Sequence, residues 1–163
     1  SLSNDIKIDL IKCLSSNGGI DGMSIGQAID CFFENQTLEL NQLEFLHIHK
    51  TAKLIAASLK MGAIICEYDL LTQEKLYNFG IDLGLLFQVQ DDIIDETCSS
   101  VEAGKTTQND GSKNSFVNLL GLEGARKSAD ELAFKCIEVL NTFDINLKKS
   151  LEELLLKYIN RHK

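Results

Sequence analysis

Proline and tryptophan are absent from this 163-residue chain, and aromatic residues make up only 7% of it. Sheets with tight turns draw on those residue types. Leu, Ile, Ala, Lys and Glu are plentiful instead, so the composition points to an all-α fold. A basic stripe is also missing: 24 acidic residues outnumber 16 basic ones, and the lysines are scattered among the acids. That excludes a reader of nucleic-acid backbones. No apolar run reaches the length that spans a bilayer, and no leader-like segment opens the chain. The five cysteines, at 13, 31, 66, 98 and 136, are far apart and never in CxxC spacing. Reduced, mostly buried thiols and a cytoplasmic location are therefore expected. A hydrophobic content of 44% is enough for one core. No repeat, linker or low-complexity tract divides residues 1–163, which read as one domain.

Apolar residues recur at helical intervals from Ile6 to Leu14 and stop at the turn-forming cluster Ser15-Ser16-Asn17-Gly18-Gly19. A second helix is predicted from Met23 to Phe33, with Gln27 and Asp30 on one face; read alone, that pair is a solvated edge. Asn41, with Glu44 three residues on, has the form of a capping box for a long helix from Leu43 to Ile65. Alanines at 52, 56, 57 and 63 leave room for neighbouring helices to come close. His47 and His49 point to different sides of that helix, cannot share a metal, and read as surface or rim residues. After a break near Glu67 to Asp69, another helix is predicted from about Leu70 to Thr97. The stretch Cys98 to Lys113 is a long Ser/Thr/Gly/Asn/Asp-rich loop of the kind that is often functional. Its Gly104-Lys105-Thr106 lacks the preceding strand and glycine of a P-loop. Helices resume at Phe116 to Leu122, Leu122 to Leu140 and Leu147 to Ile159.

One stretch breaks the pattern. From Phe79 to Ile94 the helix is apolar nearly all round, as in a helix enclosed by others, yet it carries Gln88, Asp91, Asp92 and, just beyond, Asp95. At about 100° per residue these four fall within an arc of roughly 100°, and Gly84 joins the same face. Unpaired buried carboxylates cost several kcal/mol each and repel one another, so this face requires a cation. Magnesium with a diphosphate suits it, because magnesium takes oxygen ligands from a few carboxylates, waters and phosphates, and lysines take up the remaining phosphate charge.

The string from Gly84 to Asp95, GLLFQVQDDIID, closely resembles the second aspartate-rich motif of trans-isoprenyl diphosphate synthases, in particular the bacterial farnesyl diphosphate synthase (geranyltranstransferase) branch. The likeness continues through Asn17–Met23, Gly26-Gln27-Ala28-Ile29-Asp30, His49-Lys50-Thr51, Gly104-Lys105, Ser112-Lys113-Asn114-Ser115 and Leu119–Glu123, in the family's order. The resemblance implies an antiparallel helical bundle of the isoprenoid synthase type. It also implies a prenyltransferase that condenses an allylic diphosphate, geranyl or dimethylallyl, with isopentenyl diphosphate. In that reading Asp91, Asp92 and Asp95 bind Mg2+, with Asp91 the innermost ligand. Lys50, Lys105 and Lys113 hold the allylic diphosphate. Thr51 and Gln88 face the reacting carbons, and Gln27 and Asp30 support them from behind.

The resemblance has limits that carry their own expectations. The family's first DDxxD motif and its isopentenyl diphosphate-binding arginines have no match here, so the likeness covers only the carboxyl-terminal half of the enzyme. The bundle is then incomplete, and this polypeptide alone is expected to be inactive. Apolar surface is left over for a homodimer or for the missing amino-terminal half. Phe116-Val117 replace the family's Tyr-Pro, and the loop between Lys105 and Lys113 is about two residues short. The alternative is a non-catalytic subunit of a heteromeric prenyl diphosphate synthase. A terpene cyclase fits less well with Phe87-Gln88 and Lys50-Thr51, and a purely structural bundle leaves the buried acids without a cation.

Overall fold

The computed structural model describes residues 2–34, 36–97 and 114–159, and every regular element among the described residues is a helix. Helix α1 (Asn4–Gly18) starts at Ser3, whose hydroxyl accepts from the Ile6 N–H. It continues through Ser15, Ser16 and Asn17 and ends inside the predicted turn cluster, at Gly18 with Gly19 as its cap. Ser15 Oγ donates to the Lys12 carbonyl at 3.1 Å and Asn17 Nδ2 to the Cys13 carbonyl at 2.8 Å, so these polar side chains bond back onto the helix instead of ending it. Helix α2 is Met23–Phe32 and α3 is Leu40–His47. The cap of α3 is Glu39, two residues before the predicted Asn41. Glu39 and Gln42 bond each other's backbone N–H groups, with Gln42 Oε1 at 2.9 Å from Glu39 N.

The long predicted helix is present but changes pitch. A π-helical turn, Ile48–Ala52, separates α3 from α4 (Lys53–Ile65), and the Lys53 N–H reaches back five residues to the Ile48 carbonyl. Helix α5 (Leu70–Thr97) has the predicted extent. Asp69 caps it by accepting from Thr72 N and Oγ1, both at 2.9 Å, and those bonds hold its carboxyl below the usual range. Residues 98–113, the predicted loop with Lys105 and Lys113, lie outside the described residues. Helix α6 (Phe116–Leu140) bends at Gly121, whose φ of 72° suits glycine. Helix α7 (Ile145–Ile159) follows Asp144, whose carboxylate accepts from Asn146 and Leu147. No helix among the described residues is long and apolar enough to cross a membrane.

α5 is the axis of the bundle. It packs on α4 and on the π turn along one side and on α6 along another, while α1 backs α4 and α7 backs α6 and α5. The pairs Ala52–Gly84 and Ala56–Gly80 show α4 and α5 running antiparallel and nearly touching. A Cβ on Gly84 would meet Ala52 Cα at 2.5 Å, and one on Gly80 would meet Ala56 Cα at 2.4 Å. The core around this seam takes in Leu43, Leu46, Phe79, Leu83, Leu86 and Val89, all at most 1% exposed.

The expectation for His47 changes, while His49 keeps its place at the rim. His47 is buried at 4% exposure and stacks on Phe116 at 5.6 Å, because the π turn begins immediately after it and leaves its ring in the core. His49 is half-buried, stacked on Phe45, with Nδ1 at 2.8 Å from the Phe45 carbonyl. Of the four described cysteines, Cys13 and Cys136 are buried while Cys31 and Cys66 are exposed. Burial, helped by the nearby Asp82, pushes the Cys136 thiol up to about 12, and burial also raises the Asp82 carboxyl against the opposing charge of Lys135. Gly84→Ala should separate α5 from the π turn, because the clash is with backbone that cannot rotate away. We expect a loss of about 1–3 kcal/mol in urea unfolding; an unchanged midpoint would show that the seam is looser than it looks.

Candidate active site

The glycine-to-alanine approach just described fixes where the polar face of α5 meets the π turn. Gln88 is one turn beyond Gly84, and Thr51 is the residue before Ala52. Thr51 Oγ1 donates to Gln88 Oε1 at 3.4 Å, Gln88 Nε2 donates to Asp92 Oδ1 at 3.1 Å, and Asp92 Oδ2 accepts the Phe116 N–H at 2.8 Å. A continuous line of hydrogen bonds therefore runs from the π turn across α5 to the first residue of α6. Asp92 is 4% exposed, whereas Asp91 and Asp95 are half-buried on the same helix.

Helix α2 reaches the π turn from the other side. A Cβ on Gly26 would meet Lys50 N at 2.3 Å, so glycine is what lets the two backbones touch there. Asp30, one turn after Gly26 on the same face, then meets Lys50, with Oδ2 to Nζ at 2.5 Å. The Lys50 and Asp30 side chains are 30% and 32% exposed, so the ammonium remains open to a further anion. Gln27 faces outward, where Nε2 lies 3.5 Å from Cys31 Sγ.

The structure thus brings together Lys50, Thr51, Gln88, Asp92 and Asp30, and places Asp91 and Asp95 on the adjoining face of α5. Lys105 and Lys113 lie outside the described residues. The sequence reading missed the Phe116 N–H, the Gly26 contact and the π turn. The last shows in the spacing of buried positions once His47 is known to be in the core: they step from Leu43 to His47 and from Ala52 to Ala56 by four, but from His47 to Ala52 by five, the interval an inserted residue produces.

Asn114 pins the approach to α6 from outside. Its Nδ2 donates to the Phe33 carbonyl at 2.8 Å and its Oδ1 accepts the Leu38 N–H at 3.1 Å, which ties the α2–α3 connection to the start of α6. The Phe116 ring, 1% exposed, is the wedge beneath.

Around this end of the bundle stand four carboxylates (Asp30, Asp91, Asp92, Asp95) and one ammonium (Lys50) among the described residues. Among those residues no group of three His, Cys, Asp or Glu converges as a ready metal cage. Asp91 and Asp95, one turn apart, are two hard oxygen donors. That donor set fits magnesium, which completes its shell with waters and phosphate oxygens. The fold and site define a class: an all-helical protein with an acid-lined, lysine-bearing site at one end of its bundle.

Comparison with known proteins narrows that class. The sequence model of the polyprenyl synthetase family matches residues 3–154, and the chain belongs to that family. It is 36% identical to the farnesyl diphosphate synthase of Micrococcus luteus over 164 aligned residues, covering 99% of this chain and 56% of that protein. The chloroplastic geranylgeranyl pyrophosphate synthase of Capsicum annuum is 42% identical over 134 residues, 80% of this chain and 36% of that one. Among solved structures, the geranyltransferase of Helicobacter pylori complexed with magnesium and isoprenyl diphosphate superposes with a TM-score of 0.89. It is 48% identical, with 98% of this chain and 54% of that chain covered. The chain spans about half the length of the bacterial relatives it matches.

Asn114→Ala removes both bonds of the clamp and leaves the Leu38 N–H without its acceptor. The expected cost is about 1–3 kcal/mol, with faster hydrogen exchange at Leu38; an unchanged Leu38 amide would show that the clamp does not hold the α2–α3 connection.

Proposed function

We propose that this chain supplies half of a prenyltransferase site that condenses an allylic diphosphate with isopentenyl diphosphate, in a magnesium-dependent reaction. The supporting observation is the placement of the Asp30–Lys50 pair beside the Thr51–Gln88–Asp92 line, in a chain of the polyprenyl synthetase family. Asp91 and Asp95 would hold magnesium, and Lys50 takes diphosphate charge at the position that Asp30 gives it. Bound magnesium supplies positive charge to the departing diphosphate. The allylic C–O bond breaks with both electrons leaving on the diphosphate. The double bond of isopentenyl diphosphate forms the new C–C bond, and a proton then passes to the diphosphate. Thr51 and Gln88 face the carbons at which positive charge develops, and fixed dipoles act most strongly in such a water-poor site. Lys105 and Lys113 belong to the same proposal as further diphosphate ligands, and Gln27 as a support behind α2.

Geranyl diphosphate as the allylic substrate and farnesyl diphosphate as product are the specific form of this reading; the H. pylori geranyltransferase and the M. luteus synthase are the relatives that favour it. The natural protein carrying this chain, given magnesium, geranyl diphosphate and isopentenyl diphosphate, should release farnesyl diphosphate. Asp91→Ala should lower the rate by about 100-fold or more. No product from the natural protein, or full activity in Asp91→Ala, would end the reading.

The site acts in a cytoplasmic assembly in which a homodimer covers the apolar side chains left exposed on α1, α2 and α5, such as Ile11 (68%), Phe32 (72%) and Leu70 (78%). One observation favours a second reading, a non-catalytic subunit bound to a longer prenyl synthase: the chain covers only about half of its bacterial relatives. Light scattering on the native assembly should give the mass of a dimer. A complex with a longer synthase chain would select the second reading, and a monodisperse monomer would overturn both.

A further inference from the structure

The line of hydrogen bonds from Thr51 to Phe116 has a direction that its chemistry imposes. An ionised carboxylate accepts only, and Asp92 accepts at both ends, from Phe116 N–H and from the Gln88 NH2 group. With its NH2 turned to Asp92, Gln88 has only its carbonyl oxygen left for Thr51. An amide oxygen cannot donate, so the bond between Thr51 Oγ1 and Gln88 Oε1 requires the hydroxyl proton of Thr51. That proton is therefore held toward α5, and the lone pairs of Thr51 Oγ1 are turned away from Gln88.

We infer that Asp92 is a positioning residue: its buried carboxylate, fixed by the α6 N-terminus, orients Gln88 and through it keeps the lone pairs of Thr51 on the side where positive charge develops on the allylic carbon. The last clause rests on the prenyltransferase reading, whereas the order of the hydrogen bonds does not. Three adjacent acids then divide into two duties. Asp91 and Asp95, half-buried on the adjoining face of α5, would take metal and phosphate in the prenyltransferase reading, and Asp92, turned inward to 4% exposure, sets the polarity of neutral groups.

The inference makes an unusual demand on substitutions. In Asp92→Asn, the Phe116 N–H still needs an acceptor, so the oxygen of the introduced amide faces Phe116 and its NH2 faces Gln88. Gln88 must then turn its own oxygen to that NH2 and its NH2 to Thr51. Thr51 becomes an acceptor, and its own proton swings into the site, where it opposes positive charge. Adding Gln88→Glu reverses this. A glutamate accepts at both oxygens, from the introduced amide on one side and from Thr51 on the other, and the pair of changes keeps the net charge of the cluster. The double variant therefore restores the original polarity with neither original residue in place.

The test compares the natural protein carrying this chain with D91N, D92N and D92N/Q88E. Three quantities are measured: binding of inorganic pyrophosphate with magnesium by calorimetry, kcat and KM for condensation, and thermal midpoints. D91N should weaken magnesium–pyrophosphate binding about tenfold or more. D92N should leave that binding within about twofold and lower kcat by about 10–100-fold with little change in KM. D92N/Q88E should recover at least about tenfold of the lost kcat. Pyrophosphate binding lost in D92N as in D91N, or a double variant no faster than D92N, would overturn the inference.

A second readout does not depend on turnover. Nuclear Overhauser contacts from the Gln88 side-chain NH2 to the Thr51 methyl should be weak in the parent and strong in D92N. Equal contacts in both would overturn the hydrogen-bond order itself. A parent protein that fails to condense the two diphosphates, yet shows the amide reversal in D92N, would instead count against the prenyltransferase reading.

Discussion

Everything at this site depends on how closely α5 approaches the π-helical turn. Side chains of ordinary size between two helices hold their axes about 8–10 Å apart. Here Gly84 and Gly80 face Ala52 and Ala56, and the backbones all but touch. That proximity is what allows a side chain as short as threonine, on the turn, to reach a glutamine on α5. The π turn contributes the other half of the condition. By adding a residue between His47 and Ala52, it keeps His47 in the core on one side of the insertion and Ala52 against Gly84 on the other, while Lys50 and Thr51 emerge between them. Gly26 presses on the same turn from α2 and brings Asp30 to Lys50. Three close approaches, each made by a glycine or an alanine, thus set the site before any of its polar atoms bond.

The helical class, the extent of α5 and the polar face with Gln88 and the aspartates were legible because they rest on composition and on a period of 3.6. The alanines at 52 and 56 also announced a close neighbour, and Gly80 and Gly84 are that neighbour. Other features were hidden for physical reasons. The sequence placed the end of α1 at the right cluster but not at the right residue of it, because Ser15 and Asn17 can either break a helix or bond back to it, and only tertiary contact decides. Here Tyr77 Oη donates to Asn17 Oδ1 at 2.6 Å and favours the helical choice. The inward turn of Asp92 could not be read from its angle on a helical wheel. A wheel gives direction but not what lies there, and the N-terminus of α6 arrives from a position 24 residues further along the chain. Within the motif that holds Gln27, Gly26 and Asp30 make the contacts with the π turn, while Gln27 itself bonds only within α2 among the described residues.

A cluster of acids invites the simple view that each one exists for metal. The geometry argues against treating them alike. Asp30 is matched by Lys50 across a helix boundary, a partly exposed pair whose value lies less in stability, since such pairs contribute about 0–1 kcal/mol, than in holding a long flexible side chain at one place. Asp92 is matched by two N–H donors, one of them at the first residue of a helix, where the partial positive charge of the helix terminus adds to the hydrogen bond. Those donors give a buried carboxylate two hydrogen bonds from the protein itself. The remaining pair, Asp91 and Asp95, is separated by one turn on the half-buried face, and these two are the residues proposed above to hold magnesium. In that proposal the three-acid motif does two kinds of work, with Asp92 enclosed and Asp91 and Asp95 only half-buried. The residue that distinguishes them is not an acid at all but Phe116, whose ring seals the core and whose N–H draws Asp92 inward.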